Sequence, residues 1–119
     1  FVRVLGYFRE DGVKSVAAIE QAIREGNSVK LVVPAHSLKS DSWQFGADRL
    51  AALTEEIEIT ARHYVEIHQD PDELVEMVVL LRPLFETTLT ALEAEISPLV
   101  ERRSAHGSRT FSQTHFGRL

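Results

Sequence analysis

A histidine, a lysine and a tryptophan lie at helical spacing in the middle of the sequence. Lys39, Ser40 and Trp43 follow His36 by three, four and seven residues, which places all four on one face of a helix. The apolar stripe within residues 31–42 centres roughly 140° from His36, so we predict that this face is exposed. A neutral histidine nitrogen is a nucleophile, and an exposed tryptophan is typical of an interface. Taken alone, His36 is more simply explained as an ordinary surface histidine.

Other catalytic and metal chemistries are not favoured. The sequence has no cysteine, which excludes a disulfide scaffold, a thiolate metal site and a cysteine nucleophile. It has no glycine-rich phosphate loop, which argues against ATP binding. His63 and His68 are five residues apart and do not share a helix face. Together with Asp70 and Asp72 they are a weak candidate for a metal site, and we predict none.

The chain has the size and composition of one folded domain. Its 119 residues are 44% hydrophobic and 26% charged, which is ordinary for a globular protein. All 18 acidic residues precede residue 102, whereas residues 102–119 carry four arginines and no acid. We therefore predict a domain over residues 1–101 and a basic, flexible tail over residues 102–119. The acidic body argues against nucleic acid as a partner. No apolar stretch reaches the length of a membrane span, and we expect a cytoplasmic location.

Apolar residues at helical spacing predict five helical segments separated by glycine and proline. They cover residues 1–10, 12–25, 28–45, 47–64 and 71–96. The first is short and ends at Asp11-Gly12, Pro34 is expected to bend the third, and Asp70 to cap the last, which Pro83 should kink. Because each long segment has one apolar stripe, we predict an all-α antiparallel four-helix bundle with a short extra N-terminal helix.

The residues around His36 resemble the histidine phosphotransfer (HPt) domains of bacterial and fungal two-component relays. In that family the histidine is followed by an aliphatic residue at +2, a lysine at +3, a serine near +6 and Gly-Ala at +10 and +11. The matching residues here are Leu38, Lys39, Ser42, Gly46 and Ala47. The resemblance extends over roughly residues 5–96, and implies that His36 accepts a phosphoryl group and passes it to an aspartate of a response-regulator receiver domain.

The resemblance also implies roles for residues near the phosphoacceptor. Lys39 would stabilise the phosphoryl oxygens. Glu58, at +22, would hold the other ring nitrogen, where family members often have Gln or Glu; alternatively it is an ordinary solvated acid. Arg62 would stabilise phosphate or pair with Glu58. Gly46 and Ala47 would let two helices approach closely.

A histidine kinase and a receiver domain are the implied partners. They would dock on Ser40 and Trp43, with Val4 and Phe8 at the rim, unless Trp43 folds down over the stem of Lys39. We expect a monomeric phosphoryl carrier. Because the sequence has no phosphate loop, we predict no autokinase activity. We also predict no cofactor of its own, the magnesium ion coming from the receiver.

Two residues depart from the family pattern. Ser40 stands where the family has a glycine under the incoming partner, which would narrow the choice of partner. Asp41 adds a negative charge, and we expect it to point sideways to solvent. Two other functions stay open: a phosphoacceptor domain of a larger sensor or chemotaxis-type kinase, and a helical interaction module in which His36 is inert.

Overall fold

The computed structural model describes the backbone of residues 2–105 and the side chains of residues 2–95. Its elements are α1 (Val2–Arg24), α2 (Ser28–Gln44), α3 (Asp48–Glu66), a 3-10 helix (Asp72–Leu74) and α4 (Val75–Ala105). No strand occurs within residues 2–105, which confirms the all-α prediction. No helix in this part of the chain is long and apolar enough to cross a membrane. The predicted tail begins at residue 102; α4 continues to Ala105, and residues 106–119 lie outside the described residues.

The first helix, α1, is continuous, and the prediction of a separate N-terminal helix is wrong. Its core stripe passes through the expected break in steps of three and four residues: Leu5, Phe8, Gly12, Val16, Ile19 and Ala22 are buried. At Gly12, α1 lies so close to α4 that a Cβ atom there would overlap the ring of Phe85. The nearby ring of Phe85, which is distant in sequence, leaves room only for glycine at this position. Glycine inside a helix costs roughly 1 kcal/mol in helix propensity.

The second helix, α2, runs unbroken through Pro34. Asn27 caps the helix by accepting a hydrogen bond from the backbone N–H of Lys30 at 3.1 Å. Pro34 removes one backbone donor from the helix interior. Leu31 and Ala35, on either side of it, are fully buried, and we infer that their packing keeps the helix intact.

Two glycines make the turns between the first three helices, as the sequence predicts. Gly26 and Gly46 have φ angles of 64° and 69°, in the left-handed region that glycine adopts without strain. After Gly46, the N–H of Ala47 donates to the carbonyl of Ser42 at 2.9 Å, and Ala47 itself is fully buried. These short turns make α1, α2 and α3 successive antiparallel neighbours.

The last helix, α4, begins later than predicted. Asp70 does not cap it; Pro71 is buried and precedes the 3-10 helix, and α4 starts at Val75. The helix continues through Pro83. The carbonyl that Pro83 leaves without its usual donor belongs to Val79, a residue on the exposed side of α4, where we expect water to replace that donor.

The four helices form an antiparallel bundle around one apolar core. The largest contact is between α2 and α3, while α1 and α4 pack against each other and each against one member of that pair. Arg82 on α4 donates two hydrogen bonds to the carboxylate of Glu20 on α1, at 2.7 and 3.0 Å. The polar face of α2 is left on the outside of the bundle.

Candidate functional site

His36 lies on the outer face of α2, beside α3. Its side chain is 53% exposed, and its Nδ1 lies 3.1 Å from Oε2 of Glu58. The turn at Gly46 sets α3 antiparallel to α2 and so brings residue 58 alongside residue 36. The neighbour that the sequence suggests at +22 is therefore in contact with the histidine ring.

Glu58 is a buried carboxylate surrounded by donors. Its side chain is only 6% exposed, so the alternative of an ordinary solvated acid is wrong. Oε1 lies 2.9 Å from Nζ of Lys39. Oε2 accepts hydrogen bonds from Nε and Nη2 of Arg62, at 3.0 and 2.8 Å. The four residues expected around the phosphoacceptor site thus form one cluster across α2 and α3.

The charge state of Glu58 decides which nitrogen of His36 is free. Burial by itself raises the pKa of Glu58, but hydrogen bonds from Lys39, Arg62 and His36 outweigh it and lower the pKa to about 2. At neutral pH the carboxylate is ionised and can only accept hydrogen bonds. Nδ1 of a neutral His36 ring therefore carries the proton, and Nε2 keeps its lone pair.

The predicted docking residues divide between surface and core. Trp43 is 51% exposed and Val4 is also exposed, and Ser40 is half-buried beside His36. Phe8, however, is only 2% exposed, and its ring lies against those of Phe45 and Phe85, with centroids 4.8 and 5.8 Å away. The proposal that Phe8 meets a partner is wrong, because a continuous α1 places it on the core stripe.

An open cleft of about 490 Å³ lies between α1 and α2, and His36 is one of the residues that line it. It is lined by Asp11, Lys14 and Ser15 of α1 and by His36, Ser37, Ser40 and Asp41 of α2. Asp41 does not simply point sideways to solvent: it is half-buried in this cleft, and both burial and the charge of Asp11 raise its pKa.

The α1 residues of the cleft were not predicted from the sequence. The spacing of three and four residues between Asp11, Lys14 and Ser15 indicates that they share one helix face. Placing that face beside His36 also requires the register of α1 against α2, which a single sequence does not give.

The described residues include no group of three or more His, Cys, Asp or Glu side chains arranged to hold a metal ion.

Comparison with known proteins gives one family: the model of the Hpt domain matches residues 3–97 of the chain. No curated protein and no solved structure matches it.

Proposed function

Because the chain belongs to the Hpt domain family, the histidine-containing phosphotransfer modules of phosphorelays, we propose that it carries a phosphoryl group on Nε2 of His36. The group comes from a histidine kinase or a receiver aspartate and passes to the aspartate of a response-regulator receiver. The observation that carries the proposal is the contact between Nδ1 of His36 and the buried, ionised Glu58. That contact leaves Nε2, the nitrogen away from Glu58, as the nucleophile of a half-exposed ring.

In the transfer step, the lone pair of Nε2 attacks the phosphorus atom of the partner's acyl phosphate. A P–N bond forms, the P–O bond to the partner's aspartate breaks, and the aspartate leaves as a carboxylate. The imidazole ring becomes positively charged as this bond forms, while Nδ1 keeps its proton. The negative charge of Glu58, 3.1 Å from Nδ1, stabilises that ring, as a buried carboxylate does for the histidine of a catalytic triad. Transfer to the next aspartate is the reverse reaction.

The two cations bound to Glu58 provide charge for the phosphoryl oxygens. Phosphoryl transfer depends mainly on positioning and on neutralisation of charge, and we assign this role to Lys39 and, beside it, Arg62. Both side chains are held by Glu58, which restricts them to the neighbourhood of the histidine before a partner arrives. We propose that the magnesium ion needed at an acyl phosphate is contributed by the receiver.

Docking in this proposal uses the exposed face of α2. Trp43 has the largest apolar side chain on that face, Ser40 leaves room for close approach, and Val4 of α1 lies at the rim. A carrier that exchanges phosphate with a kinase and a receiver is expected in the cytoplasm, as a monomer.

The proposal is tested by phosphorylation with phosphoramidate, a small donor that needs no partner protein. His36→Gln should lose uptake of phosphate while its helicity by circular dichroism is unchanged. His63→Gln, which removes another exposed histidine on α3, should retain it. The bound phosphate should be labile in acid and stable in base. Uptake by His36→Gln at the wild-type level would refute His36 as the phosphoacceptor.

Failure of the wild type to accept phosphate, either from phosphoramidate or from a panel of phosphorylated receivers, would favour one of the two alternatives, a helical interaction module with an inert histidine.

A further inference from the structure

Lys14 differs from the two other lysines in having no ionic partner among the side chains that the structure describes. Lys30 pairs with Glu25 at 3.0 Å, and Lys39 with Glu58 at 2.9 Å. Among the described side chains, no carboxylate lies within ion-pair distance of Lys14. Its ammonium group is therefore available to bind an anion.

The position of Lys14 suggests which anion that is. It lines the cleft between α1 and α2 together with His36, whereas Glu58 and Arg62 approach the histidine from α3. Glu58 binds at Nδ1, and a phosphoryl group would be attached at Nε2, at the other side of the ring. Lys14 is thus the cation that the structure offers on the α1 side of the reactive nitrogen.

The charges of the cleft make such a cation necessary. Asp11 and Asp41 also line it, and burial together with the negative charge of Asp11 raises the pKa of Asp41. A phosphate monoester adds a charge of about −1.5 to −2 near neutral pH, and a phosphoryl group on His36 would be repelled by both carboxylates. Among the described residues that line the cleft, Lys14 is the only lysine or arginine, and its side chain is long and flexible enough to follow the group.

Resting on the proposed function of His36, we propose that Lys14 binds the oxygens of the phosphoryl group on Nε2 and of the anionic donor that delivers it. Lys14 would then contact the phosphoryl group from the α1 side, while Lys39 and Arg62 would contact it from the side of α2 and α3. In the isolated domain this contact needs no partner protein, which separates it from a role of Lys14 in docking alone.

The test uses phosphoramidate as donor and compares Lys14→Ala, Lys14→Met, Lys14→Arg and Lys30→Ala. The donor's P–N bond breaks, a P–N bond to Nε2 of His36 forms, and ammonia leaves. At low salt we expect Lys14→Ala and Lys14→Met to slow phosphate uptake about two- to fivefold, the range that corresponds to an exposed, screened ion pair. Lys14→Arg should retain the wild-type rate. Lys30→Ala removes the same charge from a lysine that is paired with Glu25, and it should also retain the wild-type rate of phosphate uptake.

Two further measurements distinguish binding of phosphate from a structural role. The difference between wild type and Lys14→Ala should shrink at about 1 M salt, where the Debye length falls to about 3 Å. The ¹⁵N chemical shift of Nζ of Lys14 should change on phosphorylation, while that of Lys30 should not. Uptake rates for Lys14→Ala equal to those for Lys30→Ala, with no shift at Lys14, would overturn the proposal for Lys14 and leave His36 as the phosphoacceptor. If the wild type accepts no phosphate, or if His36→Gln accepts as much as the wild type, both proposals fall.

Discussion

Replacement of Glu58 by glutamine tests how strongly the buried carboxylate stabilises the fold and the site. The pKa of Glu58 falls from its ordinary value of 4.5 to about 2 in the folded protein. Each pKa unit is worth about 1.4 kcal/mol, so ionised Glu58 contributes about 3 kcal/mol to the free energy of unfolding near neutral pH. An amide of the same shape keeps one hydrogen-bond acceptor but loses the charge that holds Lys39 and Arg62. We therefore expect Glu58→Gln to be destabilised by about 2–3 kcal/mol at pH 7.

The pH dependence of this difference identifies its cause. A carboxylate whose pKa is lower in the folded state gives its full stabilisation above the unfolded pKa, near 4.5 for Glu58, and loses it as the pH falls towards the folded pKa of about 2. The stabilities of wild type and Glu58→Gln should therefore differ fully at pH 7 and pH 5 and converge between pH 4.5 and pH 2. Other carboxylates titrate in the same range, and taking the difference between the two proteins removes their contribution.

Urea unfolding monitored by circular dichroism at pH 7, 5, 3 and 2 measures this difference. Glu56→Gln is the matched control, because Glu56 is an exposed carboxylate on the same helix and has no ion pair with a described side chain. Its stability should stay within about 0.5 kcal/mol of the wild type, as is usual for surface substitutions. If the free energies of unfolding of wild type and Glu58→Gln differ by the same amount at pH 2 as at pH 7, the electrostatic explanation is refuted.

Three other substitutions test the neighbouring features. Lys39→Ala should slow phosphate transfer and shorten the lifetime of the phosphorylated protein, with Lys30→Ala as the control; wild-type kinetics would remove Lys39 from the site. Trp43→Ala should weaken binding of a cognate receiver roughly tenfold or more, the factor that 1.4 kcal/mol gives. In the wild type, the fluorescence emission of Trp43 should shift to shorter wavelength when the receiver is added. Unchanged affinity and emission would place docking elsewhere. Gly12→Ala should lower the free energy of unfolding by about 1–3 kcal/mol, because its Cβ overlaps the ring of Phe85. Gly6→Ala on the same helix meets no neighbouring atom within 4 Å and should raise it by up to about 1 kcal/mol; equal effects of the two would show that the helices do not approach closely at Gly12.

Local signals in the sequence were sufficient for the helical class and for the turns at Gly26 and Gly46. Apolar residues every three or four positions specify a buried helix face regardless of what covers it. Glycine after the last residue of such a stripe favours the left-handed end of a helix. The pairing of His36 with Glu58 followed from the family resemblance, since a spacing of 22 residues has no meaning until the turn between them is known.

The errors came from residues whose environment is set by distant parts of the chain. Gly12 suggested a helix end, but it is small because the ring of Phe85 occupies the space beside it. A helix end at Gly12 would make residues 1–10 a separate element and leave Phe8 free to meet a partner, whereas the continuous helix places Phe8 in the core. Pro34 does not interrupt α2, because the burial of its neighbours Leu31 and Ala35 outweighs the local penalty.

His36, Lys39, Glu58 and Arg62 all come from α2 and α3, with a single short turn between the two helices. Closing a short loop loses little chain entropy, and contacts between neighbours in sequence form faster than those between distant segments. We therefore expect this hairpin to gather the reactive residues early in folding, before α1 and α4, which are far apart in the chain, pair with each other. Substitutions in the α1–α4 contact, such as the Glu20–Arg82 pair, should then mainly change how long the bundle stays folded, while the order in which the reactive groups assemble stays the same.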